Sequence, residues 1–341
     1  MIKTAVVILN WNGRAFLEKF LPGVISATVS PGTEVIVADN GSGDDSVSWL
    51  TGNFPATRVI LLDKNYGYAG GYNRALEQID AEYYILLNSD VAVEQGWCDA
   101  LITFMDMHPA AGACQPKIKS YSEPERFEHA GAAGGYIDRF GYPFCRGRIM
   151  NYTEKDNGQY DDVREIFWAS GACMAVRASA FEQCDGFDES FFTHMEEIDL
   201  CWRMQNAGFN IYCVPETTVW HVGGGTLNYG SPQKIYYNFR NSLLMLAKNL
   251  PSRRIRRTIF IRQVLDGVAA IMFLFTTGWQ PFKAVIKAHN DFRRARNSIR
   301  THRSLSPVCE TYGPPHTMMN KSVVFEYYIL KRRIFTSLKW Q

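Results

Sequence analysis

Four apolar runs near the start of the chain, at 4–9, 34–38, 58–62 and 82–88, alternate with helical stretches at about 14–28, 44–51 and 71–79. Such alternation admits few folds: a mostly parallel sheet, right-handed crossovers, and helices on both faces. Each run stops at polar or glycine-rich residues: Asn10-Trp11-Asn12-Gly13, Asp39-Asn40-Gly41-Ser42, Asp63-Lys64-Asn65-Tyr66-Gly67 and Asn88-Ser89-Asp90. Open α/β sheets bind ligands in the crevice beyond the carboxyl ends of their strands, so these endings describe one rim of nucleotide size. The last run, Tyr-Tyr-Ile-Leu-Leu over 83–87, does not alternate, which suits a central strand covered on both faces. Asp90 then stands at a strand end, where it either faces a metal ion or caps the next element.

At 341 residues the chain has room for one large α/β domain and an appendage. Its eight cysteines occur singly, with no C-x-x-C pair and no signal peptide ahead of them, which reads as reduced thiols in a cytosolic protein. The net charge of +2 hides an asymmetry: residues 251–341 hold 17 Lys/Arg against 4 Asp/Glu, a balance of +13, leaving −11 for residues 1–250. The tail therefore reads as a separate electrostatic object. Within it, Val264–Trp279 is apolar but interrupted by Asp266, Gly267 and Gly278, and is too short to span a bilayer. Basic residues bracket it: Arg253, Arg254, Arg256, Arg257 and Arg262 before, Lys283 and Lys287 after. That pattern fits a helix lying in the headgroup layer of an anionic membrane, the alternative being a helix packed on the main domain. The basic residues sit beside aliphatic rather than stacking side chains and form no recognised nucleic-acid motif, so nucleic acid is not the expected partner.

The glycine-rich segment Gly67-Tyr-Ala-Gly-Gly opens the helix at 71–79, and its backbone N–H groups are placed to cradle phosphate. It is not G-x-G-x-x-G, and no G-x-x-x-x-G-K-[ST] occurs, which weighs against a dinucleotide cofactor and against P-loop phosphoryl transfer. Residues 110–165, with many glycines and aromatics, read as short strands and loops rather than a second core. A strand at Ile166–Val176 and a short helix at 178–184 follow.

Residues 187–208 read as a helix with Thr193 as N-cap, Gly208 as its stop, and Glu196, Glu197 and Asp199 in its first turns. A capping box explains Glu196, and an ion pair with Arg203 explains Asp199. Three acids in four positions exceed what a cap requires, and the helix dipole is expected to keep them ionised, as a base must be. Beyond this helix, His221 precedes Gly223, Gly224 and Gly225, a loop suited to closing over a ligand while the imidazole reaches a metal or a phosphate. With Asp90 it is expected to form a site for Mg2+ or Mn2+ beside a diphosphate.

These motifs together resemble family 2 of the glycosyltransferases, in its bacterial rhamnosyltransferase-like branch. The resemblance rests on Val-Val-Ile-Leu-Asn-Trp-Asn-Gly (6–13), Val-Ala-Asp-Asn-Gly-Ser (37–42), Asn65-x-Gly67 through Asn73, Leu-Leu-Asn-Ser-Asp (86–90), Gly-Phe-Asp-Glu-x-Phe-Phe running into Glu-Glu-Ile-Asp-Leu-Cys-Trp-Arg (186–203), His221, and Tyr237-x-x-Arg240-Asn241. It covers about residues 3–245 and implies a GT-A fold whose first half binds a nucleotide diphosphate sugar and whose second half holds the base and the acceptor. Asn10, Asn12 and Asp39 are then expected at the nucleobase and ribose. Asn65, Gly67, Gly71, Asn73 and Ser89 are expected along the diphosphate-sugar cleft, with Asp90 as metal ligand. Asn88 stands where the family's Asp-x-Asp-like motif opens, so one carboxylate must suffice. Glu197 is the favoured base, because capping claims Glu196, with Asp199 third. One base opposite one metal implies direct displacement with inversion.

The resemblance further implies a dTDP-rhamnose or UDP-sugar donor and a glycan or lipid-linked acceptor in cell-surface polysaccharide synthesis. Residues 1–245 are expected to form the catalytic domain, divided near 110, and 246–341 a basic helical extension on the inner face of the cell membrane. Two rival readings are a membrane-bound scaffold that keeps the fold without the chemistry, which only the Glu196-Glu197 pair favours, and a sugar nucleotidyltransferase. The latter wants a glycine-rich basic loop after the first strand, and Asn10-Trp11-Asn12-Gly13-Arg14 supplies one glycine and one arginine.

Overall fold

The computed structural model describes residues 2–223, 230–303 and 314–340. Strands β1 (Ile2–Asn10), β2 (Thr33–Asp39), β3 (Arg58–Leu61) and β4 (Ala81–Asn88) alternate with helices α1 (Arg14–Ala27), α2 (Ser46–Asn53) and α3 (Gly67–Leu76), as the apolar pattern requires. β1 lies between β2 and β4, and β2 pairs with β3, all parallel. Asn10 is in register with Asp39, so two of the polar endings meet side by side. β1 is buried on both faces: Ala5 and Val7 face one core, Val6 and Ile8 the other.

After β4 come β5 (Val91–Val93), α4 (Trp97–Met107) and β6 (Ala111–Ser120). A small antiparallel sheet follows, of β7 (Gly135–Ile137), β8 (Pro143–Cys145), β9 (Arg148–Ile149) and β10 (Tyr152–Thr153), then β11 (Arg164–Ile166), β12 (Cys173–Arg177), α5 (Ala178–Gln183), α6 (Glu196–Asn206) and β13 (Asn210–His221). The main sheet runs β11-β13-β6-β12-β4-β1-β2-β3, with β5 against the end of β13. It is mixed: β12 lies antiparallel between β4 and β6, while β6 and β13 are parallel. Residues of α1, α2 and α4 fill the core on one face of this sheet; those of α3, α5, α6 and the small sheet fill the other.

Several expectations need correction. The expected strand at Ile166–Val176 is two strands, β11 and β12. Residues 167–172 between them turn back over the strand ends, where Ala172 O accepts from Asn88 N at 3.0 Å. Within 110–165, β6 is a ten-residue strand of the main sheet, its apolar side chains diluted by Gln115, Pro116 and two lysines. α3 begins at Gly67, so the glycine-rich segment is its first turn and not a loop ahead of it.

The tail is not a separate body. Helices α7 (Pro232–Asn249), α8 (Ser252–Thr276) and α9 (Trp279–Arg303) follow β13, so α7 crosses the expected boundary near 245. Met319 N donates to Ile137 O at 2.9 Å, Val323 N to the Asp138 carboxylate at 2.9 Å and Phe335 N to that of Glu154 at 2.9 Å. The Phe335 ring packs against Tyr136, Phe144 and Tyr160. α8 runs unbroken through Asp266 and Gly267, over 25 residues. By length and composition it is therefore apolar enough to cross a membrane, contrary to the expectation that the apolar stretch is too short. Its inner face is nonetheless fastened to the domain. Asp266 is fully buried and accepts from Arg262 Nε at 2.8 Å and Tyr142 Oη at 3.0 Å, while Arg262 also donates to Phe140 O at 3.0 Å. The outer face exposes Phe260, Val264, Val268, Ile271, Met272 and Phe275, one stripe at helical spacing. The seven described cysteines are unpaired and buried; Cys309, Gly224 and Gly225 lie outside the described residues.

Candidate active site

The rim predicted from the strand endings exists, and its side chains mostly bind one another. Asn10 Nδ2 donates to Asp39 Oδ2 at 2.9 Å and to Ser42 Oγ at 3.2 Å, and Asp39 Oδ1 accepts from Ser42 N at 2.9 Å. Asn12, in a left-handed conformation at φ 51°, accepts from Gly43 N at 2.7 Å. Ser89 is half-buried on the other side of Gly13, where an added Cβ would come within 2.5 Å of Asn10 Oδ1. Asn10 Oδ1 is itself buried and has no hydrogen-bond partner among the described residues, a deficit a ligand donor would remedy.

The glycine-rich turn does not present free N–H groups to a phosphate. Tyr68 N and Ala69 N donate to Phe192 O at 2.7 and 3.3 Å, and Gly67 N donates to Asn65 Oδ1 at 2.7 Å. Its glycines serve close packing: a Cβ on Gly67, at φ +73°, would meet Phe192 O at 2.4 Å, and one on Gly71 would meet Leu9 and Asn40 at 2.9 Å. Asn73 clasps the backbone of Phe187, donating to its carbonyl at 2.8 Å and accepting from its N–H at 3.0 Å. These residues join α3 to the segment leading into α6 and so set the width of the cleft.

Topology brings Asp90 and His221 together. β5 pairs antiparallel with β13, with His221 opposite Val91, and Val222 N donates to Asp90 O at 3.1 Å. His221 Nε2 lies 3.1 Å from Asp90 Oδ1, and Nδ1 lies 3.4 Å from Glu128 Oε2. All three residues are buried. Burial alone would lower the imidazole pKa, but the two carboxylates outweigh it and raise it to about 10. Glu128, held also by the Ala130 N–H, falls to about 2 against the cost of burial. A Glu128–His221 contact of this kind fixes a metal-binding imidazole with its other nitrogen toward the metal. Without a metal the imidazolium lies between the two carboxylates; a divalent cation binding Asp90 and Nε2 would displace the Nε2 proton and leave Nδ1–H toward Glu128. Asp90 and His221 thus fit the expected Mg2+ or Mn2+, with Glu128 behind them. Glu128 was not anticipated: it is one of several acids in the irregular segment, after Glu123 and Glu125, and no motif sets it apart.

The carboxylate helix starts later than expected. Met195, at φ 74°, precedes Glu196, no side chain caps the helix, and Thr193 lies outside it. The capping box is absent because residues 189–191 form a separate 3-10 turn, and Asn241 Nδ2 holds the carbonyls of Phe191, Thr193 and His194 at 3.0, 2.9 and 2.8 Å. Glu196 is buried and Glu197 half-buried, and an Oε2 atom of each lacks a hydrogen-bond partner among the described residues. Desolvation pushes Glu196 well above the carboxylate range, with the charge of Glu197 adding to it; desolvation carries Glu197 up to about 7. Burial thus outweighs the dipole at both, contrary to the expectation that the dipole keeps them ionised: Glu196 stays protonated and Glu197 titrates near neutrality. Asp199 is fully buried and fully engaged: Oδ2 accepts from Arg203 at 2.8 Å and Lys248 at 3.0 Å, and Oδ1 from Asn249 at 2.7 Å. The expected surface pair with Arg203 is thus a buried network that ties α6 to α7, and it separates Asp199 from the other two acids.

Residues 170–172 bridge the two clusters. Asn88, beside His221 at 3.4 Å, bonds Ala172 through its backbone; Gly171 O accepts from Tyr68 Oη at 2.8 Å; and the Tyr68 hydroxyl, buried among the rings of α3, feels the charges of both Glu196 and Glu197. Tyr68 thus links the turn at 170–172, which Asn88 joins to His221, with the Glu196–Glu197 pair.

The sequence profile of Glycosyl transferase family 2 matches residues 5–184, more than half of the chain. The N-acetylglucosaminyl-diphospho-decaprenol L-rhamnosyltransferase of Mycobacterium tuberculosis is 32% identical over 234 residues, 63% of this chain and 75% of the relative. A low-salt glycan biosynthesis hexosyltransferase of Haloferax volcanii is 24% identical over 281 residues, 80% of this chain and 84% of the relative. Among solved structures, S. aureus TarS 1–349 superposes with a TM-score of 0.56 at 15% identity, covering 91% of each chain. The Pyrobaculum calidifontis mannosyltransferase solved with GDP-Man and Mn2+ superposes at 0.53 and 13% identity, covering 92% of this chain and 88% of that one. The chain belongs to glycosyl transferase family 2. Its fold is GT-A, and it is a nucleotide-sugar glycosyltransferase.

Proposed function

We propose that the chain transfers a sugar, with inversion and with a bound Mg2+ or Mn2+, from a dTDP- or UDP-linked donor to a hydroxyl of a lipid-linked glycan at the inner face of the cell membrane. The observation that carries the mechanism is Glu197, a half-buried carboxylate with an unpartnered oxygen and a pKa raised to about 7. A base of that strength takes the proton of an acceptor hydroxyl as the new bond forms. Glu196, neutral behind it, donates or accepts a hydrogen bond without adding charge. Asp199 acts as a positioning residue through Lys248 and Arg203. Asp90 and His221 would hold the cation, which supplies neutralisation of the charge that grows on the departing diphosphate. Asn10, Asn12 and Asp39 border the nucleoside end, and Asn10 Oδ1 offers it an acceptor. Gly67, Gly71, Asn65, Asn73 and Ser89 shape the cleft.

The relatives support the donor and acceptor classes. The mycobacterial relative is by name a rhamnosyltransferase acting on a diphospho-decaprenol. The apolar stripe of α8, with Arg253, Arg254, Arg256 and Arg257 exposed at its start, supports surface attachment to an anionic bilayer. The fastening of Asp266 favours lying on the membrane over crossing it. The test is nucleoside diphosphate release from a panel of dTDP- and UDP-sugars, with Mn2+ or with EDTA. Metal-dependent release from one donor supports the reading, and the product anomer then reports inversion or retention. Release that EDTA leaves unchanged would remove the metal from the mechanism.

A further inference from the structure

A second concavity lies where the segment ahead of α6 meets α7 and α9. About 550 Å3 in volume, it is bounded by Ser190 and Phe192 ahead of α6, Tyr236 and Arg240 of α7, and Lys287 and Arg294 of α9. Its charges are unequally matched. Asp291, also on the wall, accepts from Tyr236 Oη at 2.8 Å and from Arg294 at 3.2 Å. Lys287 has no carboxylate within ion-pair distance among the described residues, and its Nζ lies 4.9 Å from the Tyr236 ring centre. Among the described residues Arg240 donates to neutral groups, Ser190 O at 2.6 Å and Asn241 Oδ1 at 3.2 Å, and to no carboxylate. Two cations without counter-charge, set among aromatic rings in a concave wall, suit a ligand that carries more than one negative charge.

The cavity connects in two directions. Toward the base, Phe192 stacks on Tyr237 at 5.8 Å, and Asn241, next to Arg240, holds the backbone that runs into Glu196. Toward the outside, residues 287, 283 and 279 are successive turns on one face of α9, so about 12 Å of helix leads from Lys287 to Trp279. Lys283 lies 5.5 Å from the Trp279 ring, which is half exposed and stacks on Phe282 at 5.0 Å. Phe239, the other neighbour of Arg240, packs on Phe273 of α8, the helix whose outer face carries Ile271, Met272 and Phe275. An anion pocket, a short basic track and an apolar ridge follow one another over the surface of α7, α8 and α9.

We propose that this cavity binds the diphosphate of an amphiphilic acceptor, whose apolar chain leaves along α9 toward Trp279 and the α8 ridge. The proposal rests on the transferase reading above and assigns that acceptor its head-group site, separate from the donor site at Asp90 and His221. Farnesyl diphosphate is the probe, titrated calorimetrically into the full chain with the donor site filled by saturating UDP and Mn2+. Inorganic pyrophosphate and farnesol are titrated in parallel, and Lys287→Glu and Arg294→Glu are compared with wild type. We expect farnesyl diphosphate to bind at least tenfold more tightly than pyrophosphate or farnesol, and each charge reversal to weaken it at least tenfold at unchanged melting temperature. Donor hydrolysis should stay within twofold in both variants. Equal binding of pyrophosphate and farnesyl diphosphate would overturn the lipid assignment. Binding unaffected by both reversals would overturn the site. Absence of donor hydrolysis in wild type would instead sink the transferase reading beneath it.

Discussion

Replacing Glu197 by Gln should sharply reduce turnover and stabilise the protein at once. The carboxyl keeps its shape and loses only its charge and basicity. A group carried from 4.5 to about 7 on folding costs the folded state about 3 kcal/mol once it is ionised, at 1.36 kcal/mol per pKa unit. This is an upper value, since a half-buried carboxylate retains part of its hydration. The sign follows from the raised pKa. Below the unfolded value of 4.5 both states are protonated and nothing is lost. Between 4.5 and about 7 the unfolded chain ionises while the folded one resists, and above 7 the full cost is present. Glu197→Gln should therefore melt with wild type at pH 4, and roughly 5 °C higher at pH 8. Turnover should fall by a factor on the order of 100 or more, the usual contribution of a general base. Scanning calorimetry across pH 4–8 beside a donor-to-acceptor assay measures both. A variant no more stable than wild type at pH 8, or one whose advantage is largest at pH 4, would refute the claim that burial raises this carboxyl.

Wild-type kcat/KM should rise with pH to a plateau above about 7, because the ionised base is the active form, and the acidic limb should vanish from the residual rate of Glu197→Gln. Asp199→Asn should cost about 3 kcal/mol by leaving Lys248 and Arg203 under-compensated in a buried network, lowering the melting temperature while leaving the pH profile of kcat in place; a displaced profile would make Asp199 the base. Paired substitutions Ile271→Ser and Phe275→Ser on the exposed face of α8 should reduce co-sedimentation with anionic vesicles by at least tenfold, given roughly 1.5–3 kcal/mol per large apolar side chain buried, with little change in melting. Retained sedimentation would place attachment elsewhere.

Deleting residues 251–341 would not test attachment cleanly, because Phe335 and Met319 are part of the core and removing them would expose it. The sequence marked this region as a basic tail because charge is counted along the chain. Docking depends on partners such as Asp138 and Glu154, which lie far away in sequence. The parallel half of the sheet was legible from strand-length apolar runs alone, and the pairing of Asn10 with Asp39 follows from their polar endings. Antiparallel β12 and the long β6 were not, since proline and lysines break the apolar signal of β6. Among the candidate site residues, motif and spacing singled out Asp90, His221 and the Glu196–Glu197 pair. They did not reveal Glu128, whose role depends on where β6 ends relative to β13. Nor did they reveal that Asp199 is held by α7, or that Phe192 fills the helix terminus that glycines advertise as a phosphate cradle.

The central claim is that donor binding and proton removal belong to opposite sides of one cleft. Titration of the donor identified by the release panel, with Mn2+, into wild type, Asp90→Ala and Glu197→Gln tests it, with turnover followed on the same samples. The account predicts binding weakened at least tenfold in Asp90→Ala, and binding within twofold of wild type in Glu197→Gln while its turnover is lost. Full turnover in Glu197→Gln, or undiminished metal-dependent binding in Asp90→Ala, would contradict it.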